Sequence, residues 1–200
     1  MGFGYKTSWI AVRGRTPEEV ADALCLTARR PMGYAEGTGA AYKSGIYVAP
    51  PVQGWILAHG RDVGRTVRED SAEMIEWLSD LSRTLGTVQF FGTHRVTDWH
   101  EWVWAEHGSM VRAYATADGQ VTLFAGDVTE AERAVGVGLR DNEPGMESWE
   151  EDEQWESWYE SIPREQHVMR IAGLWSVDPT SFDDSEVSGL GIYGVIAQPQ

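Results

Sequence analysis

Residues 87–125, TVQFFGTHRVTDWHEWVWAEHGSMVRAYATADGQVTLFA, decide the fold. The segments 87–92, 96–106 and 109–116 are dense in β-branched and aromatic side chains, which fit a pleated, half-buried surface. His107-Gly108 between the last two is a tight hairpin turn. Ala117-Asp118-Gly119 is a second turn, and residues 120–125 resume the strand pattern. Four strands in succession with short turns make a β-meander, so the sheet is expected to be largely antiparallel.

Upstream, KTSWIAV (6–12) reads as another strand. Thr16-Pro17-Glu18-Glu19 then supplies a helix start, with Thr16 as the cap, Pro17 at the first helical position and Glu19 closing a capping box. That helix is predicted to run to about Leu26. Residues 28–44, with Pro31, Gly33, Gly37 and Gly39, read as a loop. Two strands, 45–49 and 54–59, follow on either side of Pro50-Pro51-Val52-Gln53. Asp70 and Glu73 open the clearest helix, in which Met74, Trp77, Leu78, Leu81 and Leu85 share one face and Gly86 is the stop.

Downstream, residues 129–139 read as a helix whose Thr129-x-x-Glu132 repeats the Thr16-x-x-Glu19 pattern. Residues 162–175 read as a last helix with Val168, Ile171, Ala172 and Trp175 inward, ended by Val177-Asp178-Pro179. Residues 191–196 are a final strand or a docked segment. The expectation is therefore one α+β domain over residues 1–200, a largely antiparallel sheet with helices packed on one face. An acidic, Trp-rich insertion interrupts it at about 141–161.

The chain has 200 residues, 42% hydrophobic, enough for a full core, and no apolar run long enough to span a bilayer. The N-terminal stretch shows no signal-peptide pattern. Cys25, the single cysteine, cannot pair within the chain, which fits a reducing, cytoplasmic setting. Lying in the apolar run ALCL, it reads as a small buried hydrophobe; the catalytic-thiol alternative has no histidine near it in sequence. Arginine outnumbers lysine heavily, as in a GC-rich bacterial genome, since only Lys6 and Lys43 are lysines.

Charge is unevenly placed. Residues 1–140 hold 17 acids and 14 bases, a balance of −3, whereas residues 141–200 hold 14 acids and 2 bases, a balance of −12. Such an excess opposes nucleic-acid and anionic-membrane binding, which need Lys and Arg, and favours a basic protein partner. Between Asp141 and Glu160 there are nine acids and no base. Glu147, Glu150, Glu151, Asp152, Glu153 and Glu156 are interleaved there with Trp149, Trp155, Trp158 and Tyr159. Carboxylates steer a cation in, and aromatic rings anchor it, so these ten residues are the candidate partner-binding set. A solvated loop whose indoles fold back on the domain is the competing reading.

His94, Asp98 and His100 form the densest polar cluster. If residues 94–100 are one strand, the three point to one face, where two imidazoles and a carboxylate could bind a metal or Asp98 could orient His100 as a general base. Residues six apart on a strand lie about 20 Å apart, however, which is too far to share one ion. Hydrogen-bonded histidines on a half-exposed strand are the structural alternative. The glycine-rich 33–45 stretch lacks the glycine before Lys43-Ser44 that a phosphate loop requires. No motif calls for a cofactor or metal.

GYKTSWIAVRGRTPEEVADALCL, FGTHRVTDWHEWVWAEHG and HVMRIAGLWSVDPTSF resemble patches of uncharacterised bacterial proteins of the immunity or antitoxin type. The resemblance implies a non-enzymatic inhibitor of a toxin and transfers no catalytic residue. The primary expectation is a protein-binding module that neutralises a basic partner. The alternative is a small-molecule enzyme or ligand-binding protein using His94, Asp98 and His100.

Overall fold

The computed structural model describes residues 3–64, 70–140 and 162–196. Nine strands form one antiparallel sheet. They are β1 (Thr7–Arg13), β2 (Leu26–Met32), β3 (Ile46–Val48), β4 (Trp55–Gly60), β5 (Thr87–His94), β6 (Trp99–Glu106), β7 (Ser109–Ala117), β8 (Gln120–Gly126) and β9 (Gly191–Ile196). Their order across the sheet is β2-β9-β3-β4-β1-β5-β6-β7-β8. The meander β5–β8 is present as a block of consecutive neighbours. β9 is inserted between β2 and β3, antiparallel to both.

The helices among the described residues are α1 (Pro17–Ala23), α2 (Tyr34–Ala41), α3 (Ser71–Leu85), α4 (Glu130–Val135) and α5 (Glu165–Trp175). They do not share one face of the sheet. Strand alternation sends Trp9, Tyr47, Leu57, Phe91, Trp102 and Tyr114 to one side, where α2, α4 and α5 pack. Ile10, Val12, Val48, Ile56, Phe90 and Val103 go to the other, under α1 and α3. Burial on both faces explains why β1 is buried at six consecutive residues and is apolar without a break from Trp9 to Val12. The first face is aromatic: Trp9 stacks on Phe91 at 5.2 Å, and Trp102 on Tyr114 at 4.6 Å.

Local signals act as physical chemistry dictates. Both capping boxes form, at Thr16/Glu19 and Thr129/Glu132. Asp70 accepts from the amides of Ala72 and Glu73. Met74, Leu78, Leu81 and Leu85 are buried along α3, and Trp77 is half-buried beside them, its ring edge-on to Phe90. α4 is shorter than residues 129–139, because Gly136 takes the left-handed conformation (φ 84°) and ends it.

Residues 28–44 are not a loop: they hold β2 from Ala28 onward and the whole of α2. Gly37 lies inside α2 because a Cβ there would meet the Tyr47 ring at 2.2 Å, so the glycine marks close packing of helix on strand. Cys25 also departs from expectation. α1 stops at Ala23, and Cys25 follows at φ 52° with its thiol exposed.

A buried ion pair ties β6, β7 and α4 together. Arg112 and Glu132 have no exposed side-chain surface, with Arg112 Nε 2.8 Å from Glu132 Oε1. Trp102 Nε1 donates to the same oxygen at 2.9 Å, and the Thr129 amide and hydroxyl donate to Oε2. Nη1 donates to the carbonyls of Ala125 and Gly126, and Nη2 to that of Gly138. Every charge is therefore matched, which a buried pair requires.

Gly92 provides a sharp packing test. A Cβ there would lie 2.1 Å from the Trp99 ring, which covers this glycine. Gly92→Ala is expected to cost about 1–3 kcal/mol by overpacking. A thermal midpoint within a degree of wild type would show that the indole relaxes freely.

Candidate functional site

The β5–β6 connection determines which of the predicted site residues meet. Residues 95–98 form a turn, with Asp98 at φ 42°, so residues 94–100 are not one strand. The register pairs Thr93 with His100 and His94 with Trp99. Opposed residues share a face, so His100 points to the aromatic side and His94 to the other. The three-residue cluster thus splits: Asp98 and His100 come together, and His94 instead contacts Thr97 Oγ1 at 3.2 Å.

His100 is 2% exposed. Its Nε2 lies 3.4 Å from Asp98 Oδ1, and its Nδ1 lies 2.9 Å from Thr93 Oγ1. With the Nε2 proton turned to the carboxylate, Nδ1 accepts from the threonine hydroxyl. Burial pushes the imidazole below its usual range, opposed by the nearby Asp98 charge. Both ring nitrogens thus face partners within the protein.

The first turn of α5 covers this site. Glu165 Oε1 is buried without a hydrogen-bond partner, and its Oε2 lies 3.9 Å from Arg95 Nη1. Burial, and the neighbouring Arg164 and Arg170, push His167 down as well. Tyr5, Arg95, Asp98, His100, Arg164 and Glu165 line a hollow of about 330 Å³ between turn and helix. Thr93 and Glu165 were missed from sequence; Thr93 shows only as an inward position of a strand, and Glu165 as an ordinary first-turn acid. Among the described residues, no three His, Cys, Asp or Glu side chains are grouped to hold a metal ion.

The candidate partner-binding residues, Glu147, Trp149, Glu150, Glu151, Asp152, Glu153, Trp155, Glu156, Trp158 and Tyr159, lie outside the described residues. What precedes and follows them is fixed. Arg112 Nη2 donates to the Gly138 carbonyl at 2.8 Å, anchoring the chain just ahead of Asp141. α5 begins at Glu165, and α4 and α5 pack on each other on the aromatic side. None of the described helices is long and apolar enough to cross a membrane. Comparison with protein-family models, with curated proteins and with solved structures finds no match for this chain.

Proposed function

We propose that the protein is a non-enzymatic binding module that engages a basic protein through its acidic, Trp-rich segment, as an immunity or antitoxin-type inhibitor would. The observation that carries this reading is the partition of charge: 14 acids against 2 bases after residue 140, with nine acids and no base from Asp141 to Glu160. Gathered carboxylates accelerate encounter with a cation and suppress anionic competitors. Desolvated Trp and Tyr then slow dissociation. The anchoring of Gly138 by Arg112 and the packing of α4 on α5 add support, because the segment joins two elements held together on one face.

The test is affinity capture from a lysate of the protein's own cells, using wild type and a variant with Glu150, Glu151, Asp152 and Glu153 changed to Ser. Wild type is expected to retain a partner of high isoelectric point. The variant should associate with it about tenfold or more slowly at low salt, a difference that shrinks as salt is raised. Retention that is unchanged in the variant, or no basic partner at all, rejects the proposal.

A further inference from the structure

The head of α5 is capped by a group that titrates near neutral pH. In α1, α3 and α4 the first-turn amides are taken by oxygens of Thr16, Asp70 and Thr129, which remain acceptors at any physiological pH. At α5 the N-cap residue is Arg164, whose guanidinium has only donors and whose charge opposes the positive end of the helix. The cap comes instead from the imidazole three residues on. The Arg164 amide donates to His167 Nδ1 at 3.2 Å. Only a ring without a proton on Nδ1 can accept that bond. Protonation abolishes the cap and adds a positive charge to the same helix end.

The surroundings resist that proton while the turn is formed. Arg164 and Arg170 of the same helix and His100 of β6 all face the half-buried His167 ring. β5 presents the uncharged Gln89, which donates to the Trp175 carbonyl at the far end of the helix. α4 commits Glu132 to Arg112 and carries Glu130 and Arg133 on its exposed side. Below the turn, Arg95 reaches Glu165 at 3.9 Å and Asp98 reaches His100 at 3.4 Å. The same first turn carries Glu165 inward, where its Oε1 is buried without a hydrogen-bond partner. That burial is a cost which unwinding the turn would release, so the closed position is finely balanced.

We propose that the first turn of α5 is a pH-sensitive lid over the Asp98–His100 pair, closed while His167 Nδ1 accepts the Arg164 amide and loosened when that nitrogen takes up a proton. Opening restores an ordinary imidazole, which protonates near pH 6.5, whereas the closed turn holds His167 below that value. Closure is thus fully present above about pH 6.5 and weakens as pH falls below it. His100, also lowered and lying under the same turn, acts in the same direction. The device does not depend on what the acidic segment binds.

The test is amide hydrogen exchange of the intact protein, followed by NMR between about pH 5 and about pH 7.5 and corrected for intrinsic exchange rates. The reporters are the Arg164 amide and the amides of His167 and Val168, which donate to the Arg164 carbonyl at 2.8 and 3.3 Å. Their protection is expected to fall about tenfold toward acid relative to the β5–β8 amides in the same spectra. His167→Gln, whose side-chain oxygen can accept at this position without titrating, should lose most of that fall. His167→Ala should be poorly protected at both extremes, with unchanged far-UV circular dichroism showing that both variants fold. Wild-type protection that does not change relative to the meander overturns the proposal. So does a His167→Gln profile that follows the wild type, or His167→Ala protection equal to wild type at neutral pH.

Discussion

Glu132→Ala is expected to be among the most damaging single substitutions in the molecule, costing about 3–5 kcal/mol. The reason lies in what the change leaves behind. Arg112 would remain fully buried with its charge unmatched, and Trp102 Nε1 and the Thr129 amide and hydroxyl would lose their acceptor. Breaking a buried pair from one side is far worse than never having built it. Arg112→Met together with Glu132→Leu should therefore recover a large part of the loss. The measurement is equilibrium unfolding in urea of Arg112→Met, Glu132→Leu and the double variant. Strictly additive losses would mean that the two side chains are not energetically coupled, and the account given of this knot would fail.

Acid is expected to destabilise the fold well before carboxylates titrate, and His59 is the main cause. Its ring is wholly buried in β4, stacked on Phe3 at 3.7 Å and edge-on to Tyr47 at 5.7 Å. Neither nitrogen has a hydrogen-bond partner, and burial pushes its pKa down to about 3. Between that value and the ordinary histidine value near 6.5, the unfolded chain binds a proton that the folded one refuses. Stability is thus fully present above about pH 6.5 and falls as pH drops toward 3, by at most roughly 1.4 kcal/mol per pH unit. His100 and His167, both lowered, act in the same direction. Unfolding free energies of wild type and His59→Phe between pH 4 and 7 isolate the His59 share, since the variant lacks it. Parallel profiles for the two proteins would exclude His59 as the source.

Sequence made the centre of this fold readable and left its flanks obscure, for identifiable reasons. The meander is dense in β-branched and aromatic side chains cut by short turns, and α3 keeps a 3.6-residue period that packing enforces. β2 does not, because it is a sheet edge: five of the seven residues in LTARRPM are exposed, and its arginines and Pro31 deter further pairing instead of building a core. α2 was hidden by Gly37 and Gly39, which look like loop punctuation although Gly37 exists to admit Tyr47. His94 and His100 were placed together by assuming a continuous strand, and the left-handed Asp98 undoes that parity. Glu19 and Glu132 carry the same local signal, one exposed on α1 and one sealed on the buried side of α4. Only the arrival of Arg112 from another strand distinguishes them.

The position of β9 dictates an order of assembly. β3 ends at Val48, and the strand that covers its open side begins at Gly191. During synthesis the open edge of β3 must wait, unzipped, while more than a hundred further residues leave the ribosome, and β2 cannot dock until that gap is filled. The meander, whose internal pairings all join sequence neighbours, is free to form early as a seed. The molecule closes like a clasp, with β9 serving as the pin between β2 and β3.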